Sequence, residues 1–175
     1  MKSERDNMSN SYIDVVEQAI SLLDDISLAD YQEVLSPHFS SSVGAHIRHI
    51  VDHFTALKDS FSSGEINYNK RTRHSDIEQF PESALEACQN INKWLHDICS
   101  NQLLNQSVKV TSEIDISHTK SVQCESTLER ELVFVASHAI HHFALVRIIR
   151  NMQGKALPEF FGFAPATITH LTRSA

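Results

Sequence analysis

Apolar residues recur at steps of three and four along most of the chain. That spacing lines side chains along one face of a helix. Ile13, Val16, Ala19, Ile20 and Leu23 form one such stripe. They predict a first helix from near Ser11 to about Leu28, preceded by a frayed segment over residues 1–10. Residues 29–36 read as a further short helical piece, which Pro37 stops. Val43, Ile47, Ile50, Phe54, Leu57 and Phe61 predict a second helix from about Val43 to Ser60. Serines 40–42 offer its N-cap and Ser62-Ser63-Gly64 its end.

Residues 65–80 read as a polar connection, long enough to suggest a functional loop. Pro81 suits the first turn of a third helix, reaching about Ser100. Ala84, Leu85, Cys88, Ile91, Leu95 and Ile98 give that helix its apolar face. Between Ser107 and Cys124 the pattern turns partly alternating, through Val108, Val110, Ser112, Ile114 and Ile116. A short β-hairpin or extended excursion is expected there. Ser126-Thr127-Leu128-Glu129 reads as a capping box opening a fourth helix, from about Thr127 to Met152. Its apolar positions are dense enough to place it centrally. Pro165 then starts a last short helix carrying Ile168 and Leu171.

Composition narrows the function. The 175 residues are 41% hydrophobic and 21% charged, which suits one domain over residues 1–175. Four glycines and four prolines are few for an all-β chain. The net charge is −7 with no run of lysine or arginine, so nucleic acid is not an expected partner. No stretch approaches the roughly 20 apolar residues of a membrane span, and residues 1–10 lack the apolar centre of a signal peptide. A cytoplasmic protein with no membrane partner is expected. Cys88, Cys99 and Cys124 form no CxxC pair and no disulfide framework. Buried free thiols are the expectation for the first two.

The chemistry lies in the histidines. His138 and His142 are one helical turn apart, about 40° in azimuth, so two ring nitrogens can meet at one ion. The pattern is that of HExxH without its glutamate, which leaves a metalloprotease no general base. One helix seldom supplies three nitrogens in good geometry, so a third ligand must come from elsewhere. The second helix offers His49, with His46 and His53 as alternatives on the same face. Three neutral imidazoles with an open position describe a catalytic type of metal site. His141 reads as a supporting or solvent-facing residue, and His46 and His53 as pocket residues if His49 is the ligand. His38, His74, His96, His118 and His170 have no partner at useful spacing.

Two segments, Ser42-Val43-Gly44-Ala45-His46-Ile47-Arg48-His49-Ile50 and Ser137-His138-Ala139-Ile140-His141-His142-Phe143, carry a resemblance to a known family. With the tail from Phe161 to Thr167, they resemble the DinB/YfiT-like superfamily of bacterial helical metalloenzymes. The resemblance implies an all-α, up-down-down-up four-helix bundle, here with a short β-hairpin between helices three and four and a C-terminal tail. It implies metal ligands at His49, His138 and His142, and often a homodimer. His46 stands where many relatives carry another residue, so it competes with His49. Relatives include transferases and an isomerase that use low-molecular-weight thiols.

The expected function is therefore that of a metal-dependent enzyme acting on a small molecule. A divalent ion, zinc or nickel first, would activate a thiol or water, in a thiol S-transferase or a hydrolase. Arg71 and Arg73 are candidates for pairing with a substrate carboxylate, and Asp52 and Glu131 for orienting the ligand imidazoles. The alternative is a non-enzymatic metal-binding or stress-linked interaction module. Four protein ligands would favour that alternative, and three with an accessible water would favour catalysis.

Overall fold

The computed structural model describes residues 2–69, 75–100 and 103–173, with the side chains described from residue 11 onward. Four long helices make up most of the fold: α1 (Lys2–Leu23), α3 (Val43–Ser60), α5 (Pro81–Ser100) and α6 (Leu128–Met152). Short helices α2 (Leu28–Gln32) and α4 (Asp76–Gln79) lie between them, and α7 (Pro165–Arg173) follows. Helix α1 packs on α5 and α6, and α3 packs on α6 and α5. Tyr31, Phe54, Phe143, Leu95, Leu132 and Ile149 are fully enclosed between these helices.

The all-α, up-down-down-up four-helix bundle expected from the resemblance is not what forms. Three strands, β1 (Glu65–Asn67), β2 (Ser107–Glu113) and β3 (Ser121–Thr127), build a mixed sheet in the order β1-β2-β3. Strands β2 and β3 are antiparallel, whereas β1 runs parallel to β2 and pairs Ile66 with Val110. The physical reason is an inner face. Ile66, Val108 and Val110 bury their side chains while their neighbours stay polar. Period-two burial of this kind stabilises strands, not helix. The segment read as a polar connection thus holds a strand and the helix α4. Arg71, Arg73 and His74 lie outside the described residues.

Helix boundaries follow local chemistry. Ser42 caps α3 by accepting a hydrogen bond from the Ala45 amide. At α6 the cap is Thr127, which accepts from the Arg130 amide, so the cap sits one residue later than expected and, with Arg130 at the third helical position, no capping box forms. Ser126 instead donates to Glu131 at 2.6 Å. Helix α1 begins earlier and ends earlier than its stripe suggested.

Two glycines permit close approaches that position the site. A Cβ on Gly44 would collide with the Glu78 carbonyl oxygen and lie 2.8 Å from the Tyr31 ring, so α3 meets α4 backbone to backbone. Gly162, at φ +71, rests against the backbone of Phe143 and Ala144, where a Cβ would come within 2.7 Å. Its amide donates to Gln18 of α1 at 2.9 Å. Arg147 secures the same turn by donating to the carbonyls of Glu159 and Phe161.

Among the described residues, one helix, α6, is long and apolar enough to cross a membrane by length and composition. That corrects the expectation that no stretch comes close. In this fold α6 packs on α3 and α1 and contributes Leu132, Val135, Ala139, Phe143, Val146 and Ile149 to the core.

Candidate metal centre

The α3–α6 contact brings the two histidine ladders face to face. Buried positions Ile47, Ile50, Val51 and Phe54 fix the rotation of α3, and Val135, Ala139 and Phe143 fix that of α6. The ladders lie at the edge of these buried stripes: His46, His49, His138 and His142 are half-buried, His53 is 7% exposed and His141 faces solvent.

His49 Nε2 and His138 Nε2 approach to 2.9 Å across the helix pair. Two neutral imidazoles at that distance share one proton, so one ring donates and the other accepts. A tetrahedral ion with nitrogen ligands at 2.0–2.1 Å separates those nitrogens by about 3.3 Å. Replacing the shared proton by an ion therefore requires only a small movement. His53 lies one turn beyond His49, and its ring is 4.4 Å from that of His138. Its Nδ1–H donates to the His49 carbonyl at 2.9 Å. That bond fixes the tautomer and leaves Nε2 as the lone-pair nitrogen. One ligand atom from each of His49, His53 and His138 lies within 4.8 Å of the others, so these three residues form a group that can hold a metal ion.

His142 adjoins this group. Its ring centroid is 4.6 Å from those of both His49 and His138. Its Nδ1 turns instead to His46 Nδ1, at 2.9 Å. The second nitrogen of His46 is buried without a partner among the described residues. His141 is exposed, 5.3 Å from the His142 ring. The structure thus gathers every histidine singled out on the two helices. Beside the His49–His138 pair, His53 supplies the third nitrogen of the group, whereas the expected ligand His142 adjoins it by its ring and turns Nδ1 to His46.

The electrostatics keep lone pairs available. Burial, together with the imidazoles of His138, His46, His141 and His53, pushes the His142 pKa down to about 3. Burial and the nearby His141 also lower that of His46. These rings stay neutral at pH 7, the form that binds metal.

A polar layer supports His53 from below. Tyr68 stacks on its ring, with centroids 5.4 Å apart and planes inclined by 19°. The Tyr68 hydroxyl donates to Glu131 Oε2 at 2.9 Å. Glu131, 2% exposed, also accepts from Ser126 and from Arg130 at 3.1 Å. Burial first, then the Glu131 charge, raises the Tyr68 pKa and keeps the phenol protonated. Glu131 therefore meets the cluster through Tyr68. Asp52 takes Arg48 at 2.7 Å, and Arg48 also faces Glu78 at 2.9 Å. Tyr68 had no sequence signal of its own, since it stands alone in a polar stretch.

The cysteines lie elsewhere in this chemistry. Cys88 is buried in the core, where burial pushes its thiol up to about 12.

No protein-family model matches the chain. No solved structure matches it either. A curated protein, FK506-binding protein 5 of Rhizopus delemar, is 32% identical over 108 residues. That similarity covers 62% of this chain and 28% of the relative, so the chain spans little more than a quarter of that protein's length.

Proposed function

We propose that this chain is a metal-dependent enzyme of the DinB/YfiT-like kind, acting on a small molecule. The observation that carries the reading is the His49–His138 contact of 2.9 Å between two separate helices, with His53 already locked in the ligand tautomer. All the donors are imidazole nitrogens, with no thiolate or carboxylate among them. Such a set suits zinc, nickel or copper better than magnesium or calcium. Zinc or nickel is the preferred occupant. A divalent ion held there supplies Lewis acidity that makes a water or a thiol nucleophilic at neutral pH. The reaction class is hydrolysis or transfer to a low-molecular-weight thiol.

The chain's own residues do the positioning. His49 and His138 fix the ion between the helices, and His53 or His142 completes the set. The Tyr68 ring holds His53 in place.

A second reading draws on the nearness of His142 and His46. With four imidazoles the coordination shell is closed, and the protein binds metal without catalysis.

The test is metal content of tag-free protein by elemental analysis, for wild type and for His138→Ala, since His138 belongs to both candidate triads. About one ion per chain, lost in the variant, is expected. No ion, even after incubation with zinc or nickel, overturns the reading. X-ray absorption of the loaded protein then separates the two functions. Three imidazoles and an exchangeable light ligand support catalysis; four imidazoles support the binding module. His53→Ala and His142→Ala identify the third ligand.

A further inference from the structure

The sheet ends in an open edge. In the order β1-β2-β3, the last strand pairs among the described residues with β2 alone. Residues Ser121 to Glu125, and Thr127, are all exposed. The ladder to β2 fixes which backbone groups of β3 are left over. Ile114 N–H donates to the Lys120 carbonyl beyond one end, and Leu128 N–H to the Gln106 carbonyl beyond the other, both at 2.9 Å. In an antiparallel pair, bonded positions alternate with unbonded ones. The even-numbered residues of β3 therefore bond to β2. Ser121, Gln123, Glu125 and Thr127 turn their N–H groups to the open side. An unpaired row of this kind is a template for another strand.

The buried face of the sheet also runs out at β3. Val108 and Val110 are enclosed, but Cys124, opposite Val110, is exposed, and so is Val122 beside it. Side chains directly opposite each other share a face. No described helix of this chain thus covers the middle of β3 on that face, which leaves an apolar strip and room beneath a further strand.

Register decides which strand fits. A second copy of β3 matches the outward N–H groups when its dyad falls at Cys124, the middle of the seven residues, so that the whole strand overlaps. Ser121 then faces the partner's Thr127, hydroxyl to hydroxyl. Gln123 faces the partner's Glu125, amide donor to carboxylate. Val122 lies diagonal to the partner's Cys124, which continues the apolar strip across the dyad. Glu125 is the one charged residue of the strand. A slip of two residues in one direction sets it against the partner's Glu125; in the other direction it leaves Thr127 beyond the end of the partner strand. We propose that β3 is a homodimer edge: two copies pair it antiparallel about Cys124 and join their three-stranded sheets into one. The contact is smaller than the roughly 800 Å² per partner of a standard interface, so the dimer is weak and populated by concentration.

The test is sedimentation equilibrium of the full chain under reducing conditions, over a hundredfold range of concentration up to millimolar, with amide hydrogen exchange by NMR at both ends of the range. The mass should rise toward the dimer, and the Gln123 and Glu125 amides should exchange at least threefold more slowly in the concentrated sample. Gln123→Pro removes an outward N–H and no bond to β2, so the fold should persist by circular dichroism while association weakens at least tenfold. Gln123→Lys, which would face the partner's Glu125, should associate at least threefold more tightly than wild type, and Gln123→Glu more weakly. Metal content should be the same in all of them, so this outcome is separate from the metal reading. A monomer at every concentration overturns the proposal. So does a dimer whose Gln123 and Glu125 amides exchange as in the monomer, or equal association of the lysine and glutamate variants.

Discussion

Tyr68→Phe removes one oxygen atom and tests the layer beneath the histidines. The phenol donates to Glu131 Oε2 at 2.9 Å, and that carboxylate is 2% exposed. A hydrogen bond to a buried charged group contributes about 1.5–3 kcal/mol. Ser126 at 2.6 Å and Arg130 at 3.1 Å remain, so the carboxylate stays partly satisfied. The loss should fall in the lower half of that range. For a chain of this size each kcal/mol moves Tm by about 2–4 °C, so a fall of about 3–9 °C is expected. The phenyl ring keeps its stacking on His53, and metal affinity should change less than threefold. Thermal and urea unfolding of the metal-free protein measure the first effect, and competitive chelator titration the second. The double variant with Glu131→Gln isolates the pairwise term. A stability change below about 0.5 kcal/mol would refute the claim that this bond is formed in a desolvated layer.

Three further outcomes follow from particular contacts. Gly44→Ala should destabilise by about 1–3 kcal/mol in urea melts, because the new methyl meets Glu78 and Tyr31; helix propensity alone predicts a gain of about 1 kcal/mol, so the sign decides. Gly162→Ala, at φ +71 and against the α6 backbone, should loosen the turn after α6, seen as faster limited proteolysis near residues 156–163. Acid should weaken the metal-free fold. Below their ordinary value of 6.5, His142 and His46 take up protons in the unfolded chain but not in the folded one. Stability is then complete above that pH and falls as pH drops toward 3. At pH 5 the ceiling for His142 is about 2 kcal/mol, which its partial exposure reduces to about 1 kcal/mol. Urea melts in chelator at pH 7.5 and pH 5 measure the difference, and His142→Gln should shrink it.

The long helices were legible because their signal is local. The stripes predicted α3 at Val43–Ser60 and α5 at Pro81–Ser100, where they form, and α6 to within a residue. The antiparallel pair of β2 and β3 was legible too, in the alternation between Ser107 and Cys124, whereas the third strand was hidden for the opposite reason. Strand β1 has three residues, one of them buried, and its partner lies far along the chain, Glu65 opposite Lys109. Nothing within such a segment announces a parallel pairing. The histidines were visible through their spacing, and the helix contact brought the two ladders together. Which ring nitrogens meet was not visible. His142 faces His46 through a choice of side-chain rotamer, and His53 is oriented by a carbonyl of its own helix. Rotamers depend on packing from both helices, which residue spacing does not encode.

The His49–His138 contact joins residues 89 positions apart in the chain. An ion shared by these two rings is therefore a cross-link as well as a chemical centre. It closes a long loop that spans α4, α5 and the whole sheet. A covalent link closing a loop of similar length restricts the unfolded chain by about 4–5 kcal/mol in the chain-entropy account. Metal would then favour the folded state in the manner of a removable staple, in proportion to its free concentration. The coupling runs in both directions. A core substitution that lets α3 part from α6 should weaken metal retention, even where it touches no histidine.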